Sequence, residues 1–234
     1  MRTTLDPYTM EVSFSAGDQI SILSTKNSKK RFTTASGGAT ATFSGAAAND
    51  NGFYAISPFR DDNITLDVDF ISGVTIPDYQ WSDNWGSGSG GLRASWDPAA
   101  PLAYAVTEGE SLQFHNLCAI LKIRATGAWV GYFRILAFGG NLAGTFELDT
   151  STGELISSNP EPVNTINVGA SGDYSHSIMA SDKVLYICIA PGEYDEFSVS
   201  AFEYRKYTPF KQKTKSNVTF EAGKIYDLGT FSYP

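Results

Sequence analysis

The sequence predicts an all-β protein built from two β-sandwich domains. Three observations predict it. Apolar residues recur with a period of two in many short segments, spaced about ten residues apart. No segment holds a helical period over three turns. Glycine is frequent, at 22 residues, and aromatics make up 13%, a mix that suits turns and pleated strands. The 234 residues allow one large or two small domains, and an apolar content of 42% is enough to bury a core.

Charge and hydropathy exclude two classes of partner. The formal charge is −8, and no basic stretch is longer than Lys29-Lys30-Arg31. Nucleic acid is therefore not an expected partner, because neutralising phosphates needs clustered Lys and Arg. No run of about 18 apolar residues exists, so no transmembrane segment is expected. The first ten residues are polar and do not form a signal peptide.

The elements follow in order. Residues 11–14 form a short strand, Ala16-Gly17-Asp18 a turn, and 19–23 the next strand. The polar run 26–31 reads as a solvated loop. Ala39, Ala41 and Phe43 alternate with Thr40, Thr42 and Ser44, at strand period. Residues 53–56 form a strand that stops at Ser57-Pro58, since proline cannot continue a ladder. In 64–70, Leu66, Val68 and Phe70 are expected inside, and Thr65, Asp67 and Asp69 outside. Residues 76–101 show no period and hold three tryptophans, three prolines and the run Gly86-Ser87-Gly88-Ser89-Gly90-Gly91. So long an irregular segment reads as functional or disordered. Residues 102–106 close the first domain.

Thr107-Glu108-Gly109-Glu110 forms a turn, and the boundary is placed there, giving domains 1–108 and 109–234. The stretch 111–126, SLQFHNLCAILKIRAT, is the anchor of the second domain. Its centre is apolar on both faces and its end alternates. Leu117, Ala119, Leu121 and Ile123 are expected to share one core face. Residues 132–138 and 142–148 read as a hairpin around Gly139-Gly140-Asn141. Residues 165–168, 174–178 and 184–190 read as strands, 197–204 with 207–213 as a hairpin, and 217–220 and 225–231 as the last pair. Cys118 and Cys188 both lie in apolar strands. They fit a disulfide between neighbouring strands, or two buried thiols acting as small hydrophobes.

Seven pieces, in order, carry a resemblance. They are Phe14-Ser15-Ala16-Gly17-Asp18-Gln19-Ile20, Phe53-Tyr54-Ala55-Ile56-Ser57-Pro58-Phe59, Ile76-Pro77-Asp78-Tyr79-Gln80 and residues 112–121, LQFHNLCAIL. Leu142-Ala143-Gly144-Thr145-Phe146, Ile189-Ala190-Pro191-Gly192 and Phe220-Glu221-Ala222-Gly223-Lys224-Ile225-Tyr226 complete the set. Together they resemble the fimbrillin-like proteins of Bacteroidales, the subunits of type V pili and their relatives. The resemblance implies two tandem transthyretin-like (Greek-key) β-sandwiches and export as a lipoprotein precursor to the outer membrane and cell surface. It also implies assembly with other pilus subunits, in which proteolysis removes an N-terminal strand and a partner's strand fills the gap. The strand to be lost is expected around 11–14. Arg2 and Arg31 are the early arginines at which processing is expected, with Arg31 in the polar loop.

The chemistry-bearing residues point away from catalysis. His115 and His176 are the only histidines. No spacing joins either to a nucleophile and an orienting acid, so no enzyme activity is expected. Asp67 and Asp69 fit a solvated face better than a cation site. No metal or cofactor is expected. Tyr79, Trp81, Trp85 and Trp96 fall within one segment beside the glycines. They are the candidate contacts to a surface glycan or protein, or else caps on the open end of the first sandwich.

Overall fold

The computed structural model describes residues 4–5, 12–60, 64–81, 93–97, 99–127, 130–158, 163–169, 183–203 and 206–234. The described residues form 21 strands and no helix. The chain divides into two compact units, each visited more than once. The first unit comprises 1–75, 101–117 and 145–158; the second comprises 76–100, 118–144 and 159–234. Sequence reading expects one break near 108. The chain instead passes between the units at five points.

In the first unit the chain lays down β1 (Thr4–Leu5), β2 (Val12–Ser13), β3 (Gln19–Ser24), β4 (Asn27–Thr34), β5 (Phe43–Ser44), β6 (Phe53–Ser57), β7 (Thr65–Asp67) and β8 (Phe70–Ile76). It crosses to the second unit for β9 (Tyr79–Trp81) and β10 (Arg93–Trp96), then returns for β11 (Ala103–Thr107) and β12 (His115–Asn116). It crosses again for β13 (Ala119–Thr126) and β14 (Val130–Phe138) and returns for β15 (Gly144–Asp149) and β16 (Leu155–Ser157). It ends in the second unit with β17 (Thr165–Gly169), β18 (Lys183–Ile189), β19 (Gly192–Glu203), β20 (Pro209–Phe220) and β21 (Ile225–Ser232).

The first unit holds a six-stranded sheet, β12-β11-β6-β3-β4-β5, a four-stranded sheet, β16-β15-β8-β7, and the ribbon β1-β2. The six-stranded sheet is antiparallel throughout, with Ile22 opposite Ala55 and Ala105 opposite the same Ala55. These residues and Ile20 form a buried cluster on one face. Half-buried Phe32, Phe43, Phe53, Leu112 and Phe114 pack against it, and the Phe14 ring meets Phe43 and Phe114 edge-on.

The second unit holds a four-stranded sheet, β10-β18-β13-β21, and a five-stranded sheet, β20-β19-β14-β17-β9. Phe133 on β14 and Phe231 on β21 are both fully buried and meet edge-on at 5.4 Å, tying the two sheets through one core. Tyr194 is also buried. Its hydroxyl donates towards Ala190 O at 2.7 Å and Asn141 O at 3.0 Å, and burial pushes its pKa above the usual phenol value.

The structure differs from expectation at named places. Past Lys26, which lies in a turn, the run 26–31 is not a loop: residues 27–31 belong to β4, whose register sets Arg31 opposite Ser21. It reads as loop because lysines and an arginine stud a strand with half-exposed positions. The expected hairpin around Gly139-Gly140-Asn141 is absent. β14 pairs with β17 and β19, whereas β15 pairs with β16 in the other unit. Asn141 turns the chain by accepting the Val163 N–H at 2.6 Å, and buried Leu142 donates to Val163 O. Val68 is not inside. β7 stops at Asp67 and Val68 sits on the turn, 85% exposed. The anchor stretch is two strands, β12 in one unit and β13 in the other. Ala119, Leu121 and Ile123 are fully buried on β13, but Leu117 precedes that strand and donates its N–H to Leu102 O. Cys118 and Cys188 are both buried as thiols. The expected strand at 174–178 lies outside the described residues.

Candidate functional site

The first candidate region is β3 and its surroundings. Ala16-Gly17-Asp18 builds its entry. Gly17 adopts φ +89, a left-handed conformation open to glycine. The Ser15 N–H donates to the buried Asp18 carboxylate at 2.8 Å, and Asp18 N–H donates to Ser15 O. Gly17 N–H donates to Thr34 O, and Thr34 N–H to Asp18 O, which sets the start of β3 beside the end of β4. β3 then runs between β6 and β4 with Ile20, Ser21, Ile22, Leu23 and Ser24 all buried. The Ser21 hydroxyl, fully enclosed, finds no hydrogen-bond partner among the described residues.

The far end of the hairpin is clamped by Asp50. Its carboxylate accepts from the Thr25 hydroxyl at 2.8 Å and from the Lys26 N–H at 2.9 Å, with the Lys26 ammonium at 3.7 Å. The Thr25 hydroxyl and the Asn51 and Lys26 amides hold its carboxyl well below the usual carboxylate range. A lowered folded-state pKa contributes stability that is present above the ordinary carboxylate pKa and lost as pH falls below it. Asp50→Asn is therefore expected to flatten the acid limb of the stability profile while leaving its slope near neutrality unchanged. Urea melts at pH 2.5, 4 and 7 would show this, and an identical acid limb in both proteins would refute it.

The processing candidates do not sit as expected. Arg2 lies outside the described residues. Arg31 is in mid-strand, and its guanidinium lies 4.2 Å from the Phe59 ring centroid. A protease needs an extended, accessible segment, so β4 must leave β3 before this bond can be cut. Among the described residues the two-residue β2 pairs only with β1, and Phe14 makes an isolated bridge to Gly38. The strand that is built into the sheet is β3, not 11–14.

The aromatic candidates are not a loop either. Tyr79 and Trp81 belong to β9, which runs parallel to β17 with Tyr79 opposite Asn167 and Trp81 opposite Gly169. Trp96 ends β10, which runs parallel to β18 with Trp96 opposite Tyr186. The two strands are outermost members of different sheets. Tyr79 is half-buried, and its hydroxyl passes so close over Gly169 that a Cβ there would come within 3.0 Å. Trp85 lies outside the described residues. Glycines and tryptophans hid two short strands from a periodicity argument.

The residue of this segment with the most definite geometry is Gln80, 2% exposed. Its amide nitrogen donates to Cys188 O at 2.6 Å and to Pro77 O at 3.2 Å, and its amide oxygen accepts the Cys188 N–H at 2.9 Å. β10 stops opposite Tyr186, two residues short of Cys188. The side-chain amide thus replaces the missing peptide neighbour of Cys188. Sequence reading quotes Gln80 in a motif but assigns it no role.

The remaining candidates stay apart. His115 is exposed on β12, opposite Tyr104. His176 lies outside the described residues. Asp67 ends β7 and Asp69 lies beyond the strand, so they do not share a strand face. Among the described residues no three His, Cys, Asp or Glu side chains gather to hold a metal ion. Among the described residues no helix is long and apolar enough to cross a membrane.

No family model matches the chain, and no curated protein does. Solved structures do. A Bacteroides ovatus protein provisionally assigned to cell adhesion superposes with a TM-score of 0.53 at 13% identity, over 98% of this chain and 89% of its own. A Bacteroides uniformis protein of the same provisional assignment gives 0.52 at 16%, over 94% and 88%. A fimbrial protein of Bacteroides vulgatus aligns too loosely for a strand-by-strand comparison, at TM-score 0.34 and 12% identity over 92% and 88%. The chain carries the all-β fold of the first two Bacteroides proteins, as its fimbrillin-like resemblance implies.

Proposed function

We propose that this chain is a structural or adhesive subunit, or a tip or accessory subunit, of a cell-surface pilus. It is exported and accepts a partner's strand in place of its own β3 after N-terminal processing. The observation that carries the reading is β3 itself. It is an early strand, inner to its sheet and buried on both faces. Its loss would open backbone groups on β6 and the apolar cluster around Ala55 and Ala105 together, and a donated strand would satisfy both. The enclosed Ser21 hydroxyl makes the resident strand a poorer fit than an apolar one.

The test keeps the whole chain. A specific protease site is placed in the Thr25-Lys26 turn, the chain is cut, and a labelled peptide copying residues 16–25 is added. Exchange of the peptide for the resident strand is expected, with no filaments from the cut protein alone. Absence of exchange below the unfolding temperature would sink strand replacement. Long filaments from the cut protein alone would assign it to the stalk rather than to an acceptor end. Ser21→Ala removes the unsatisfied group, so it is expected to stabilise the fold by about 1 kcal/mol and slow the exchange. A destabilised Ser21→Ala protein would show that the hydroxyl is satisfied.

A further inference from the structure

Residues 35–51 run along the outer side of β4 in the first unit. They hold a single large apolar residue, Phe43, and a single charge, Asp50. Three attachments hold them down. Gly38 exchanges both backbone hydrogen bonds with Phe14 at 2.9 Å. β5 pairs with β4, Thr33 opposite Ser44 and Thr34 opposite Phe43. At the far end the buried Asn27 side chain donates to Ala48 O at 2.8 Å and accepts the Ala48 N–H at 2.7 Å. The Asp50 clamp on Thr25 and Lys26 lies just beyond. Continuing the β5 register places Gly45 opposite Phe32. There Gly45 sits so close that a Cβ would come within 2.7 Å of Arg31 O and 2.5 Å of the Phe32 ring. Bare backbone is thus pressed against the Arg31–Phe32 peptide.

An arginine-specific protease reads the Arg31 side chain, which is exposed. It must also reach the peptide that follows, which β3 flanks on one side and Gly45 on the other. We propose that residues 35–51 are a strap that opens as a unit of its own, with β4 following, and that its seating sets how fast such a protease hydrolyses the Arg31–Phe32 bond. Water adds across that peptide, leaving a carboxylate on Arg31 and an amine on Phe32. The strap is suited to open before the rest of the unit, because a two-residue strand, a bridge and the ties at its end hold it, with one large apolar side chain to bury. Where cleavage is slower than reclosing, its rate follows the open fraction. The inference supplies a control step for the processing proposed above and rests on that reading for its use; the opening of the strap does not depend on it.

The test uses the full chain and a low concentration of an arginine-specific protease, with initial rates at each site read from fragment masses. Arg134, exposed on the inner strand β14 of the second unit, is the internal control. Gly45→Ala is the decisive variant. Gly45 has no left-handed φ to strain an alanine, and the change removes no hydrogen-bonding group. A strap lying clear of β4 would therefore be held as well or better, since alanine stiffens the unfolded chain. A seated strap is lifted by the added methyl. Cutting at Arg31 is expected to quicken by about tenfold or more, with Arg134 unchanged. Equal or slower cutting at Arg31, or the same gain at both sites, would overturn the proposal. Asp50→Ala releases the other end of the strap and is expected to give a smaller gain at Arg31 alone. It carries the test should Gly45→Ala fail to fold, and no gain, or an equal gain at Arg134, would count against the strap. In the unsubstituted chain, cutting at Arg31 should rise less steeply with urea than global unfolding does. An identical slope would mean that only global unfolding bares the bond, and would sink the inference too. Peptide exchange at β3 plays no part in these rates, so failure of strand replacement and failure of the strap are separate results.

Discussion

Leu121→Ala is expected to lower the free energy of unfolding by about 2–5 kcal/mol, the range for a buried leucine cut back to leave a cavity. Leu121 is fully buried in the middle of β13. Its strand lies inside the four-stranded sheet, with Ile187 of β18 on one side and Tyr226 of β21 on the other. Ala119 and Ile123, two residues away on either side, share its face and are fully buried too. A methyl group cannot fill that volume, and the neighbouring strands are fixed by their ladders, so little collapse is available. Urea unfolding with an unchanged m-value would measure the loss cleanly. A loss below about 1 kcal/mol would mean that β13 is shifted by one residue, since such a slip exchanges the two faces.

Strands that bury one or both faces were legible, because period and burial coincide in them. β3, β6, β11 and β18 lie within a residue or two of the segments read at 19–23, 53–56, 102–106 and 184–190. Partnering was not legible. Residues 132–138 and 142–148 look like a hairpin because Gly139-Gly140-Asn141 is good turn chemistry, yet Asn141 sends the chain to another sheet through its bond to Val163. Local composition cannot distinguish a turn that returns from one that crosses. For the same reason nothing near residue 108 revealed two interleaved units. Strands with polar faces were lost as well. β4 reads as loop because Lys29, Lys30 and Arg31 dress its partly exposed positions. β9 and β10, with three and four residues, are too short for a period to register. The candidate site suffers accordingly. Arg31, whose side chain is exposed, reads as a loop residue because its strand is masked by polar neighbours, and Tyr79, Trp81 and Trp96 read as one loop although they lie on β9 and β10 of different sheets.

Gln80→Ala is the second large effect. The side-chain amide meets both backbone groups of Cys188, where β10 has already ended. Cys188 is buried, so no water is at hand to replace the amide. Each orphaned group is expected to cost about 1–3 kcal/mol, and the pair on the order of 2–4 kcal/mol once the neighbouring strand relaxes. The effect should also be local. β9 is a three-residue strand in the five-stranded sheet, and β18 belongs to the four-stranded one, so Gln80 is a polar pin between two sheets of the same unit. Gln80→Glu separates the pin from simple loss of volume. It keeps the size and the acceptor but loses the donor, and it sets a carboxyl against Cys188 O. If the amide matters for its paired donor and acceptor, Gln80→Glu should unfold at lower urea than Gln80→Ala near neutral pH. It should recover part of the difference in acid, where the protonated carboxyl can donate again. Hydrogen exchange at the Cys188 amide is expected to quicken in both variants more than at the amides of β20, which lies at the opposite side of the five-stranded sheet from β9. Equal stability of the two variants at all pH values would reduce Gln80 to a filler of space.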